Sequence, residues 1–230
     1  MKKLPFVAAA VASVVAPVVS AYQGGDMIAR AGVAYVVPGN ASAAGGTNVK
    51  SQGSSHTLAG KVNLDDPSNA AQLGLGFTYM VNDRFGVELS GLTPYKQKLK
   101  GESYVDNKHY AVKVGSIEAT PVNLMLQAYL LNSDNPFQPY VGFGVNYTHY
   151  KTSKDQFDKV DAKDTWGGAA ELGADYKLND NFVVNAAASY NQSAADIKLF
   201  NAYTEEQLAG ELKNVAMDPW AFRLGMGYKF

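Results

Sequence analysis

The 230-residue chain contains no cysteine and only three histidines, and beyond its first 21 residues it has no apolar run approaching the length of a membrane-crossing helix. Each absence excludes something. Without cysteine there is no disulfide framework and no thiolate metal site. His56, His109 and His149 lack the i, i+4 spacing of a helical metal site, so no metal is expected. A Ser/His/acid site would have to draw on His149 with a serine such as Ser153, and no strand sets these groups on one inward face; neither catalysis nor a cofactor is expected. A formal net charge of -1 offers no basic footprint for nucleic acid. Since a spanning helix needs roughly 18 or more apolar residues, any passage through a membrane falls to strands.

The first 21 residues stand apart. Lys2 and Lys3 precede a mostly apolar run over residues 6–19, and Val19-Ser20-Ala21 supplies the small residues of a cleavage site. This is the pattern of a secretory signal peptide over 1–21, cut after Ala21. The run is too short, and too interrupted by Pro17, for a lasting anchor. Residues 22–230 are then one exported, mildly acidic domain.

What fills that domain is alternation. From Trp220 to Phe230 one set, Trp220, Phe222, Leu224, Met226, Tyr228 and Phe230, is wholly apolar, and the other, Ala221, Arg223, Gly225, Gly227 and Lys229, is small or charged. A period of two is a β-strand with one face in an apolar medium, and the stretch has the roughly 9 to 11 residues of a tilted membrane strand. The same pattern recurs over 27–38, 72–81, 85–94, 122–131, 137–150, 166–178 and 182–191. Tight turns are expected at Asn82-Asp83, Asn132 to Pro136 and Asn179 to Asn181. Long polar loops are expected over 39–71, 96–120, 151–164 and 196–216, the first with room for a short hairpin and the last with a helix start at Thr204 to Leu208, because Leu208, Leu212 and Val215 keep helical spacing.

Eight strands joined alternately by long and short connections predict an all-β fold, an eight-stranded antiparallel up-and-down transmembrane β-barrel, with termini and short turns in the periplasm. A soluble barrel would turn its apolar faces inward, but here the other faces are rich in Gly, Ala and Ser, as suits a narrow interior. Aromatic residues beside both sets of connections form two girdles, Tyr79, Phe85 and Phe137 at one end, Trp166, Tyr190 and Trp220 at the other.

Sorting the inward residues by height predicts a lumen plug of Arg30, Glu88, Glu171, Asp175, Lys177, Arg223 and Lys229, paired because unpaired buried charge is costly. Above it, Val36, Leu92, Pro94 and Met125 are expected to form an apolar pocket that binds substrate. A blocked floor leaves an apolar solute only a sideways path. Pro94 and Pro121, on neighbouring strands, each lack a ladder donor and either end their strands or weaken the wall into a lateral exit.

Gly25-Asp26-Met27-Ile28-Ala29-Arg30-Ala31-Gly32, Gly86-Val87-Glu88-Leu89 before Thr93-Pro94, Pro139-Tyr140-Val141-Gly142 before Gly144-Val145-Asn146-Tyr147-Thr148, Trp166-Gly167 and the terminal Phe230 together resemble the outer membrane protein W family over nearly all of the exported chain. The run Glu118-Ala119-Thr120-Pro121 departs from the His-Leu-Pro-Pro-like sequence expected before the fourth strand. The resemblance implies a hydrophobic channel in the outer membrane of a Gram-negative bacterium and passive uptake of small hydrophobic compounds, as in the alkane-uptake members. It also implies that Phe230, with Tyr228, is an assembly signal read by the barrel-assembly machinery. Expected partners are outer-membrane lipid, lipopolysaccharide and small hydrophobic solutes. The alternative is a non-conducting structural or adhesive barrel acting through its extracellular loops.

Overall fold

The computed structural model describes residues 21–37, 39, 47–51, 54–64, 71–105, 108–154, 159–201 and 204–230. Most of the expected leader, residues 1–20, lies outside the described residues. Among the described residues fourteen strands follow in chain order: β1 (Met27–Val37), β2 (Thr47–Ser51), β3 (Ser54–Leu64), β4 (Ala71–Met80), β5 (Phe85–Leu92), β6 (Tyr95–Val105), β7 (Lys108–Tyr129), β8 (Phe137–Lys154), β9 (Lys159–Ala162), β10 (Thr165–Lys177), β11 (Phe182–Asn191), β12 (Ala194–Asn201), β13 (Thr204–Ala216) and β14 (Trp220–Lys229). No helix occurs among the described residues.

Eight of these close a ring. β1 pairs with β4, β4 with β5, β5 with β7, β7 with β8, β8 with β10, β10 with β11, β11 with β14, and β14 returns to β1, every pairing antiparallel. Closure leaves no unpaired edge, which is what a strand structure in hydrocarbon requires. The alternation read from the sequence sets the faces. Leu224, Phe143 and Leu172 are 65%, 66% and 61% exposed, whereas their inward neighbours Arg223 and Glu171 are buried. An apolar band of this extent would be a large liability in water and is at home against lipid.

The three expected tight turns lie at one end of the ring, together with both ends of the described chain. Two of them work alike: Asn82 Oδ1 accepts from the amides of Arg84 and Phe85, both at 2.9 Å, and Asn179 Oδ1 accepts from those of Asn181 and Phe182 at 3.0 and 2.7 Å. The side chain mimics a backbone turn, which is why asparagine recurs there. At the same end the Phe230 amide donates to the Met27 carbonyl at 2.8 Å, tying the two termini of the barrel together.

The long connections differ from expectation. In place of loops, β7 and β8 run 22 and 18 residues and continue past the ring, where β6, β3 and β2 pair onward from β7, β2 and β3 forming the short hairpin allowed within 39–71, and β9, β12 and β13 pair onward from β8. The expected helix start at Thr204 to Leu208 lies in β13. The pairing explains the misleading spacing. Leu208, Leu212 and Val215 are register partners of Phe200, Ile197 and Ala195 on β12, and shifts in register between those pairs absorb the odd residues. Apolar residues three and four apart are here the footprint of a bulged hairpin, since a bulge opposes two residues to one.

Candidate functional site: a layered lumen

Four layers fill the ring from the short-turn end upward. The lowest is apolar and aromatic, with Tyr22, Ile28, Met80, Tyr129, Tyr140 and Val183 all buried together. Tyr129 meets Tyr22 edge to face and Tyr140 at a tilt, with ring centroids 5.3 Å apart in each case.

Above it lies an ion layer centred on Arg30. Its Nε and Nη2 donate to the two oxygens of Asp175 at 3.1 and 2.5 Å, Nη1 donates to Thr78 Oγ1 at 2.6 Å and Glu88 Oε2 at 3.2 Å, and Nη2 donates to the Tyr129 hydroxyl at 2.7 Å. All five guanidinium donors are used, and this fork is what lets arginine, not lysine, occupy a buried position between two carboxylates. Glu88 Oε2 also accepts from Gln127 Nε2 at 2.7 Å, and Asp175 Oδ1 from Asn185 Nδ2 at 2.9 Å. A second cation, Arg223, donates to Asn185 Oδ1 at 3.2 Å and stands 3.6 Å from Glu171 and 3.8 Å from Glu88, too far for direct hydrogen bonds. The room for its side chain comes from the facing strand: a Cβ on Gly74 would lie 3.1 Å from Arg223 Cδ, and one on Gly76 3.2 Å from Nη1.

The third layer is a cavity of about 20 Å³, space for about one water, lined by Ser90, Gly91, Leu92, Pro121, Asn123 and Arg223 among others. The fourth, at the long-loop end, is an apolar cluster in which Val36, Tyr95, Ile117, Tyr150, Ile197 and Met217 are buried and Leu92 packs against them.

The structure therefore redistributes the residues picked from the sequence. Of the seven plug residues, Arg30, Glu88, Glu171, Asp175 and Arg223 form one network, but Lys177 and Lys229 sit lower, at the mouth. Lys177 Nζ donates to the Ser133 carbonyl at 2.5 Å, and Lys229 Nζ lies 3.5 Å from Asp26. Of the four expected pocket residues, Val36 and Leu92 belong to the apolar layer. Met125 is buried but is the register partner of Glu88, level with the ions and not above them. Pro94 is exposed. The reason is a break in the strand at Thr93-Pro94 that reverses the alternation, so Tyr95, 2% exposed, takes the inward place. Thr78, Gln127 and Asn185 were legible as inward by parity, whereas Tyr22, outside any strand, carried no such signal.

The wall has one lapse beside the cavity. The β5–β7 ladder ends at Gly91↔Val122 and pairing resumes between β6 and β7 at Tyr95↔Ala119, so Leu92, Thr93 and Pro94 face Thr120 and Pro121 without a ladder. Thr93 is held instead to β4, its amide donating to the Leu73 carbonyl at 2.9 Å. On the lipid side, a shallow groove of about 620 Å³ is lined by Ala31, Leu75, Phe77, Leu89, Ser90, Gly91 and Val122, among others. Ser90 and Gly91 border both the inner cavity and this groove.

At the long-loop rim, Asp164 accepts from the Tyr147 hydroxyl at 2.6 Å and the Tyr150 amide at 2.9 Å, and His149 Nδ1 lies 2.9 Å from its Oδ2. Burial alone would raise the carboxyl, but the bonds from Tyr147, His149 and the Tyr150 amide outweigh it and hold Asp164 at about 2 instead of 3.8. With a depressed folded-state value, its contribution to stability is complete above pH 3.8 and is lost as pH falls toward about 2. A titration of the Asp164 carboxyl carbon by NMR is expected to give a midpoint near 2, moving toward the ordinary value in Tyr147→Phe; a midpoint at 3.8 in the native chain would remove the clasp.

Comparison with known proteins agrees with this architecture. The model of the OmpW family matches residues 23–230. The chain belongs to the OmpW family. It is 33% identical to outer membrane protein W of Escherichia coli K12 over the full length of both chains. It is 27% identical to the dibenzothiophene metabolism operon protein PahQ of Pseudomonas aeruginosa, over 72% of this chain and 74% of that one. The crystal structure of the outer membrane protein OprG from Pseudomonas aeruginosa superposes with a TM-score of 0.73 at 32% identity, covering 92% of this chain and 99% of that one. The OmpW family thus supplies the setting, the outer membrane of Gram-negative bacteria, in which the exposed apolar band is explained.

Proposed function

We propose that this OmpW-family barrel is an outer-membrane channel for passive uptake of small hydrophobic molecules. Solute enters at the long-loop end, contacts Val36 and Leu92 in the apolar layer, is stopped by the ion layer, and leaves sideways into the membrane between Gly91 to Pro94 on one side and Thr120 to Val122 on the other. The observation that carries the reading is that the ladder lapse adjoins the inner cavity and one end of the outer groove, the last two sharing Ser90 and Gly91. Gly91 leaves the wall thin there, and Pro121 has no N–H with which to seal it. The name of the PahQ relative, which ties it to metabolism of the apolar heteroaromatic dibenzothiophene, supports the class of solute. No energy source, cofactor or catalytic group is needed for a passive path.

In this reading the leader is removed after Ala21, the short turns face the periplasm, and the long strands project through the lipopolysaccharide layer. Tyr228 and Phe230, exposed at the end of β14, serve as the signal for barrel assembly. The dense filling of the apolar layer, where Ile117, Ile197 and Val215 are fully buried, favours a second reading, a barrel that conducts nothing and acts through its projecting strands.

Leu92→Asp separates the two. A carboxylate in the apolar layer is expected to lower whole-cell uptake of a hydrophobic tracer toward that of cells lacking the protein, with the amount of folded barrel unchanged. Equal uptake by cells with the native chain, the variant and no protein would leave only the second reading.

A further inference from the structure

The lowest layer contains one residue that no strand supplies. Tyr22 reaches the lumen from the short segment before β1, is fully buried, and donates its hydroxyl to Asp175 Oδ2 at 3.0 Å. Lys177 Nζ sits 4.1 Å over its ring, and the Tyr22 amide donates to the Ser133 carbonyl at 3.3 Å. The segment then crosses the mouth: Gly25, at φ +98°, turns it, and its amide donates to the Met80 carbonyl at 2.7 Å. A positive φ is the conformation glycine adopts without steric cost.

We propose that Tyr22 is a removable stopper, keeping water at the short-turn mouth off the buried ion layer. Two features support removal over mere packing. Withdrawing the ring breaks the bonds to Asp175 and Ser133 but no pairing between barrel strands, so the ring of ladders stays closed. Cleavage after Ala21, the site expected from the sequence, makes Tyr22 the first residue of the exported chain, anchored on one side only, and turns its amide into an α-ammonium still placed to donate to the Ser133 carbonyl. What it protects is costly to wet: Asp175 takes bonds from Arg30, Asn185 and Tyr22 together, and the Arg30–Asp175 pair gains its strength from exclusion of solvent.

The absence of natural cysteine permits a direct test. Ile28→Cys places a single thiol in the layer that Tyr22 covers. In the full exported chain, folded in micelles, its reaction with a small charged thiosulfonate is expected to be slow with Tyr22, to stay slow in Tyr22→Phe, and to quicken about tenfold or more in Tyr22→Ala, as local opening replaces a seated ring. Folding is checked by heat-modifiable migration, and Tyr22→Leu serves as a second truncation. A folded Tyr22→Ala or Tyr22→Leu barrel that reacts as slowly as the native chain overturns the proposal. So does failure of both to fold, which would make Tyr22 part of the framework, and so does a Tyr22→Phe barrel as reactive as Tyr22→Ala, which would assign the seal to the hydroxyl alone.

Discussion

Arg30→Met is expected to lower the unfolding free energy of the barrel by about 3–5 kcal/mol, the usual cost of removing one partner from a buried ion pair. The size follows from what remains. Glu88 and Asp175, each with a fully buried side chain, lose their shared cation, while Thr78 Oγ1 and the Tyr129 hydroxyl lose the donor from which they accept, in a lumen with little space for replacement solvent. Since folded domains are stable by only about 5–15 kcal/mol, such a loss consumes a large share of the total. Arg30→Lys keeps the charge but surrenders the fork and should fall between the native and Met variants. Combining Arg30→Met with Glu88→Gln and Asp175→Asn removes the stranded charges and should recover much of the loss. Urea unfolding in lipid vesicles reads all three; an Arg30→Met midpoint equal to that of the native chain would mean that the ion layer contributes nothing to closure.

Much of the ring was legible because a membrane barrel imposes one rule on every strand. Leu224 and Met226 had to face lipid, so Arg223 had to face the lumen, and the same parity recovers Arg30, Glu88 and Asp175. The turns were legible because Asn82 and Asn179 act through their own side chains. Beyond the ring the rule lapses. The extensions of β7 and β8 have no lipid face to satisfy, and their pairing with polar partners leaves no clean alternation over 96–120. Hence Leu208, Leu212 and Val215 read as helical when bulges had produced the spacing.

The lumen was legible in direction but less so in height. Parity alone cannot report that Met125 lies opposite Glu88, since that depends on the stagger of β5 against β7. It also fails wherever the chain breaks stride. The two residues Thr93-Pro94 reverse the order of faces, exchanging Pro94 for Tyr95 in the lumen. The division of seven charges into a central network and two lysines at the mouth likewise depends on stagger, and Tyr22 depends on a segment with no period at all.

The largest functional effect is expected from closing the wall. Thr93 and Thr120 border the stretch where the ladder is missing, one on each side; both are only partly buried, Thr93 Oγ1 is bonded among the described residues only to Leu73 and Gln72 of β4 and leaves β7 free, and the chain has no other thiol once the two are exchanged for cysteine. If solute leaves between these segments, tying them together blocks the path even though the apolar layer and the ion layer are untouched. If solute passes through the mouth instead, or does not pass at all, the tie changes nothing. The decisive measurement is therefore whole-cell uptake of a hydrophobic tracer by Thr93→Cys/Thr120→Cys barrels bridged with a short reducible thiol cross-linker, before and after reduction. Lateral release predicts uptake near that of cells lacking the protein while the bridge is intact and recovery when it is reduced; uptake that stays above that of cells lacking the protein and is the same with the bridge intact and broken would contradict it.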